Sequence, residues 1–106
     1  MSDALHGLSE HQLDTLRSIL SRFANSIELA GLFGSRATGK ARPNSDVDLV
    51  LYGDDITAET VDRIWTLCND SDLAIGVDVT AYGLINNPAL KAHIDRVMQP
   101  LILQSE

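Results

Sequence analysis

The fold is decided by the stretch Phe33-Gly34-Ser35-Arg36-Ala37-Thr38-Gly39-Lys40-Ala41-Arg42-Pro43-Asn44-Ser45-Asp46-Val47-Asp48-Leu49-Val50-Leu51. An apolar run ends at Gly34, a loop rich in glycine and basic residues follows, and a second apolar run begins near residue 46. Residues 46–52 alternate in the manner of a half-buried strand. The residues on its apolar face are Val47, Leu49 and Leu51. Asp46 and Asp48 begin the opposite face, roughly 6.6 Å apart at two strand rises.

This stretch carries two features that point to phosphate chemistry. Gly34-Ser35 ends a strand where a short helical turn can begin, which offers free backbone N–H groups to a phosphate. Asp46 and Asp48 repel each other unless a cation neutralises them. Each feature alone has a common structural explanation, a serine N-cap or two solvated acids at a strand start. Together they are typical of metal-dependent phosphoryl or nucleotidyl transfer.

The order Gly34-Ser35, ten residues, Asp46-x-Asp48 resembles the nucleotidyltransferase superfamily that includes DNA polymerase β and the aminoglycoside nucleotidyltransferases. The strings Leu32-Phe33-Gly34-Ser35-Arg36-Ala37 and Ser45-Asp46-Val47-Asp48-Leu49 are most similar to its smallest branch, the minimal nucleotidyltransferases. Members of that branch are the antitoxins of MNT–HEPN toxin–antitoxin pairs. The resemblance implies an α/β fold, a small mixed sheet of three to four strands flanked by helices, in one domain over residues 1–106.

The resemblance also implies roles for single residues. Two Mg²⁺ ions, about 3.5–4 Å apart, would assist the transfer, and ATP would be the substrate. Asp46 and Asp48 would bridge both ions, and Asp78 would hold the ion that activates the acceptor hydroxyl and could receive its proton. The nucleotide-binding residues would be Gly34, Ser35, Arg36 and Ser45, with Ser35 on the β- and γ-phosphates, helped by Arg36. Thr38 departs from the family, since many relatives carry a second arginine there.

The helices are predicted from capping residues and apolar spacing. Ser9 and Gln12 form a capping box for a helix over residues 10–24. Residues 35–38 should be a single turn that ends at Gly39. Thr57 caps a helix whose buried stripe comprises Val61, Ile64, Trp65 and Cys68. Asn87-Pro88 begins the last helix, on which His93 should lie exposed beside an apolar stripe.

The strands are predicted at residues 27–33, 46–52 and 75–81. The first two should be antiparallel because the residues between them are too few for a parallel crossover, whereas a helical crossover allows the third to run parallel to the second. Asp78 then stands on the face opposite the core, as Asp48 does. Residues 101–103 are either an edge strand or a partner-binding tail, because the segment lacks the family's glycine-centred ending.

Charge and composition restrict the function. The chain has 106 residues, a net charge of −7 and only eight Lys and Arg, which argues against a general nucleic-acid binder. Three of those eight, Arg36, Lys40 and Arg42, lie in the motif loop. One cysteine allows no internal disulfide, which is compatible with the cytoplasm. No signal peptide or transmembrane run is predicted, and we expect no membrane association.

These observations lead to three hypotheses. The first is a Mg²⁺-dependent enzyme that transfers NMP, most simply AMP from ATP, to a hydroxyl of a partner protein. The resemblance makes that partner a HEPN-type ribonuclease toxin, held in a hetero-oligomer. The second is a binding-only antitoxin that blocks its partner by occlusion. The third, modification of a small molecule, is weaker because the chain has no second domain to supply an acceptor pocket.

Overall fold

The computed structural model describes residues 7–40, 42 and 45–101. The helices are α1 (Glu10–Ser21), α2 (Ser35–Thr38), α3 (Ala58–Asn69) and α4 (Pro88–Val97). The strands are β1 (Leu29–Phe33), β2 (Val47–Tyr52), β3 (Val77–Ala81) and β4 (Gln99–Leu101). A 3₁₀ turn, Tyr82–Leu84, follows β3. This is the predicted α/β architecture, with the fourth strand present.

The four strands form one mixed sheet in the order β3-β2-β1-β4. β1 runs antiparallel to β2, with Phe33 opposite Asp48, and antiparallel to β4. β2 runs parallel to β3, with Asp48 opposite Asp78. Both predicted orientations are therefore confirmed, and α3 is the crossover between the two parallel strands. β3 and β4 are left as the edges of the sheet.

The two faces of the sheet are covered by different helices. Under α1 and α3 lies the main core, in which Val47, Leu49 and Leu51 are fully buried as the alternation predicts. The opposite face carries a smaller cluster of Phe33 and Val50 with Ile94 of α4. Because side chains alternate along a strand, Asp48 shares this second face with Val50. α4 therefore covers the same face as the predicted catalytic carboxylates.

The predicted helix starts are confirmed at atomic detail. The Ser9 hydroxyl accepts a hydrogen bond from the Gln12 backbone N–H at 3.1 Å, and the Gln12 side chain accepts one from the Ser9 N–H at 2.9 Å. The side chains of Thr57 and Asn87 likewise accept backbone hydrogen bonds at the starts of α3 and α4. The predicted ends are less accurate, since α1 ends at residue 21, β1 begins at 29 and β3 begins at 77.

Two buried-or-exposed assignments were wrong. Trp65 is 48% exposed, because Ile64 and Cys68 occupy the side of α3 that faces the sheet. His93 was expected to be exposed but is half-buried, with its ring 6.2 Å from the Phe33 ring in an edge-to-face contact. The C-terminal alternatives are settled in part: residues 99–101 form an edge strand on β1, and residues 102 and 103 lie outside the described residues. No helix in the described ranges is both long and apolar enough to span a membrane.

Candidate active site

The predicted carboxylates lie at one end of the parallel β2–β3 pair. Asp48 and Asp78 are directly opposite each other, and adjacent strands are about 4.8 Å apart. Asp46 precedes β2 by one residue, and a Cβ atom placed on Gly76 would lie 2.8 Å from its Oδ1. The Asp46 carboxylate therefore packs against the residue that leads into β3. The fold brings together all three acids that the sequence singled out.

Asp48 is the most perturbed of the three acids. Burial raises its pKa, and the negative charges of Asp78 and Asp46 raise the pKa further. His93 of α4 opposes this shift by lowering the pKa of Asp48. A half-buried carboxylate between two others is a site that gains stability when a cation binds, because the cation removes the repulsion.

The acids do not form a closed cage. Within residues 7–40, 42 and 45–101, no three His, Cys, Asp or Glu side chains are close enough together to hold one metal ion between them. Carboxylate oxygens are nevertheless the donors that Mg²⁺ prefers, and Mg²⁺ commonly takes one or two of them together with phosphate oxygens and water. The donor set of Asp46, Asp48 and Asp78 therefore fits a Mg²⁺ ion that arrives with a nucleotide.

Gly34 joins β1 to α2 in a conformation that only glycine adopts readily. Its φ is 74° and its ψ is −150°, a region that is essentially closed to residues with a Cβ atom. A Cβ atom there would also overlap the Asp48 carboxylate. Gly34 thus lets the backbone of the turn pass directly beside Asp48, which places α2 next to the carboxylates.

α2 is the single helical turn that the sequence predicts. The carbonyl of Gly34, which precedes the turn, accepts hydrogen bonds from the N–H groups of Ala37 and Thr38, both at 3.1 Å. Gly39 ends the turn in the left-handed conformation with φ 80°, and Lys40 donates to the Ser35 carbonyl at 2.9 Å. The Ser35 hydroxyl is half-buried and makes no hydrogen bond within the described part of the chain. It is available to a ligand beside the acids.

Arg36 and Ser45 shape the loop between α2 and β2. Arg36 is 3% exposed, and its Nη2 donates to the Ser45 carbonyl at 2.7 Å. The Ser45 hydroxyl accepts a hydrogen bond from the Arg42 N–H at 2.8 Å, which closes a turn. Burial lowers the pKa of Arg36, and the charge of Asp46 opposes that shift. Both side chains therefore order the loop that leads to Asp46, while contact of either with a nucleotide stays a prediction.

His93 is the residue at this site that the sequence reasoning missed. It lies on α4, edge-on to Phe33, and its charge acts on Asp48. Its spacing placed it beside the apolar stripe of α4, but nothing in the spacing showed that this side of the helix faces the carboxylates. Only the crossing of α4 over the sheet brings His93 to the site.

Comparisons with known proteins agree with this geometry. The family model of the polymerase β nucleotidyltransferases matches residues 14–106. The chain belongs to the polymerase β nucleotidyltransferase family. A search of curated proteins finds no match. Among solved structures, a toxin–antitoxin crystallised with AMP-PNP is 20% identical with a TM-score of 0.71, over 85% of this chain and 72% of that one.

A second similar structure is that of the toxin–antitoxin MntA-HepT. It is 17% identical with a TM-score of 0.68, over 89% of this chain and 72% of that one. At such identities the likeness shows the fold alone. In this polymerase β nucleotidyltransferase domain, the sheet places the three acids beside the Gly34-Ser35 turn.

Proposed function

We propose that this chain transfers AMP from ATP to a hydroxyl group of a partner protein, with Mg²⁺ as the cofactor. The observation that carries the proposal is the meeting of three carboxylates with the Gly34-Ser35 turn at one end of the sheet. Membership of the polymerase β nucleotidyltransferase family supports the reaction class. The choice of adenine as the base, and of a hydroxyl group on a protein as the acceptor, goes beyond the reaction class and is part of the proposal.

The transfer assigns a task to each residue. Ser35, through its hydroxyl and the backbone of α2, holds the β- and γ-phosphates. Asp46 and Asp48 bind the cofactor, and bound Mg²⁺ supplies charge neutralisation on the phosphate oxygens. The acceptor oxygen attacks the α-phosphorus, the bond from that phosphorus to the bridging oxygen breaks, and pyrophosphate leaves. Asp78 takes the proton of the acceptor hydroxyl.

The partner is a toxin of the HEPN ribonuclease type, bound in a hetero-oligomer. Two observations support this choice: the similar structures are toxin–antitoxin assemblies, and the net charge of −7 favours a basic partner such as an RNA-binding ribonuclease. The acceptor protein brings its own surface to the site.

A binding-only antitoxin is the second candidate. The observation in its favour is that the three acids form no closed three-ligand cluster among the described residues. Such a protein would silence its partner by occlusion at a stoichiometric ratio, without any covalent change. The two candidates therefore differ in the mass of the partner after the reaction.

Intact-mass analysis of the partner, after incubation with this chain, ATP and Mg²⁺, separates the candidates. If the chain is an enzyme, the mass of the partner increases by one or more AMP groups. Asp48→Asn should lower the rate of this transfer about a hundredfold, because a charge-stabilising group is removed. Asp54→Asn is the matched control, since it makes the same charge change in an exposed turn. An unchanged partner mass together with full neutralisation would establish occlusion instead.

A further inference from the structure

β3 presents an open backbone edge next to the site. It is the last strand of the sheet, and Val47 donates to the Gly76 carbonyl at 2.9 Å. Since successive residues of a strand direct their backbone groups to opposite sides, Val77, Val79 and Ala81 direct theirs away from β2. Within the described ranges the outward N–H and C=O of Val79 have no hydrogen-bond partner, whereas the Ala81 carbonyl accepts the first hydrogen bond of the 3₁₀ turn that follows. This edge can pair with another strand.

Asn69, the last residue of α3, closes one end of this edge. Its Nδ2 donates to the Val77 carbonyl at 2.9 Å, and its Oδ1 accepts from the Val77 N–H at 3.1 Å. The side-chain amide thus satisfies both outward groups of Val77, as a neighbouring strand would. Any added strand must therefore begin its hydrogen bonds at Val79, one residue past Asp78. The fold itself therefore fixes where on β3 the pairing can begin, next to the carboxylate site.

The open edge lies in a groove of about 440 Å³ with apolar walls. One wall is formed by Ala58, Val61 and Asp62 of α3, and the other by Leu84, Ile85 and Leu90. Leu84 is 51% exposed, and Trp65, 48% exposed, lies about one turn from both Asp62 and Asn69 on α3. Exposed aromatic and apolar side chains around a concave surface are typical of protein-binding sites.

Two contacts hold the second wall in shape. The Tyr82 hydroxyl donates to Asp95 Oδ1 at 2.8 Å, and the Tyr82 ring stacks on Tyr52 at 4.9 Å. The 3₁₀ turn that carries Leu84 is therefore fixed to α4 and to β2. A groove that is formed before its ligand arrives loses less entropy on binding.

We propose that the acceptor protein docks here by adding an extended segment to the free edge of β3, and that the residue opposite Asp78 carries the acceptor hydroxyl. Residues opposite each other in a ladder place their side chains on the same face, with Cβ atoms about 4.5–5.5 Å apart. The hydroxyl would then lie beside Asp78, where the proposed function requires it. The inference rests on that function and adds the mode by which the acceptor is presented.

Charge defines the chemistry of the segment. Asp62 is the one charged side chain among the described residues that line the groove, and Asp78 precedes the first lining residue of β3, Val79. A segment that alternates apolar and basic residues around one Tyr, Ser or Thr fits these walls. Repulsion between two copies with a net charge of −7 each disfavours a second copy of this chain as the occupant.

The test uses short synthetic peptides of alternating Val and Lys around a central tyrosine. Binding is followed by the fluorescence of Trp65, the only tryptophan of the chain, and transfer by the peptide mass with ATP and Mg²⁺. Two further peptides carry backbone N-methyl groups, one at the odd-numbered residues of the peptide and the other at the even-numbered residues. Strand addition predicts that one set abolishes binding and transfer and the other leaves both intact, because only one set of N–H groups faces β3.

A matched pair of variants locates the site. Leu84→Lys should weaken binding by about tenfold or more, whereas Leu29→Lys, the same charge change at a similarly exposed residue elsewhere, should leave it within about twofold. Equal loss in both variants, or no peptide binding at millimolar concentration, overturns the inference. A wild-type dimer that Leu84→Lys dissociates also overturns it, since a second copy would then cover the edge.

The outcomes separate this inference from the proposed function. Methylation-sensitive binding without any mass change on the peptide means that the edge binds strands and that AMP transfer is wrong. If AMP transfer to the peptide is unchanged by either methylation pattern and by Leu84→Lys, the proposed function is right and the acceptor enters the site elsewhere.

Discussion

Gly34→Ala should be the most damaging small substitution at the site. The backbone conformation of Gly34, φ 74° and ψ −150°, costs a residue with a Cβ atom about 1–3 kcal/mol. The new Cβ atom would also overlap the Asp48 carboxylate, and contacts of this kind couple two positions by about 0.5–3 kcal/mol. Together we expect a loss of about 3 kcal/mol in the free energy of unfolding. That is a large share of the roughly 5–15 kcal/mol typical of small domains.

A double-mutant cycle separates the two contributions. Denaturant unfolding is measured for wild type, Gly34→Ala, Asp48→Ala and the double variant. In the Asp48→Ala background the carboxylate is absent, so Gly34→Ala should cost only the backbone term. Gly39→Ala is a reference for a positive φ without a steric contact, because its φ is 80° in the left-handed region and a Cβ atom there would meet nothing within 4 Å. If Gly34→Ala costs no more than Gly39→Ala, or if the cycle shows no coupling, the packing of the turn on Asp48 is wrong.

Three further predictions concern the acids and the cysteine. Because the pKa of Asp48 is raised, the apo protein loses stability as the pH rises through that pKa. Asp48→Asn should therefore raise the melting temperature at neutral pH, and the gain should vanish in acid, where Asp48 is protonated. A gain that persists in acid would contradict the electrostatic cause. Gly76→Ala should displace the Asp46 carboxylate and weaken Mg²⁺-dependent ATP binding about tenfold, measured by calorimetry. Gly83→Ala should leave ATP binding unchanged, because there is open space around its Cβ position. Equal effects of the two substitutions would disprove the contact between Gly76 and Asp46. Burial raises the pKa of Cys68 to about 11, so a thiol reagent at about pH 8 should label it only after unfolding, and rapid labelling of the folded protein would show that it is not buried.

Much of the fold could be predicted because its signals are local. The capping box at Ser9 and the left-handed stop at Gly39 depend on residues that are neighbours in sequence. The alternation of residues 46–52 fixed which side chains of β2 enter the core. Chain length between strands then determined the antiparallel and parallel pairings. The juxtaposition of Asp48 and Asp78 follows from those pairings.

The features that could not be predicted depend on how helices cross the sheet. Trp65 has the spacing of a buried residue, yet its side of α3 is left uncovered beyond the edge of the sheet. His93 has the spacing of an exposed residue, yet α4 brings it to Phe33 and Asp48. Arg36 is buried and bonded to the Ser45 carbonyl, which its place in a basic loop did not reveal, and its contact with a phosphate stays a prediction. Helical spacing gives the direction of each side chain around the helix axis, but it does not show which side of the helix another element covers.

Calorimetric titration of the chain with ATP, with and without Mg²⁺, tests the central claim that the carboxylates and the Gly34-Ser35 turn form a cation-dependent triphosphate site. The account predicts that Mg²⁺ strengthens ATP binding by about tenfold or more in the wild type and in the exposed control Asp54→Asn. In Asp48→Asn the gain from Mg²⁺ should be lost. Equal ATP affinity with and without Mg²⁺ in the wild type would contradict the account.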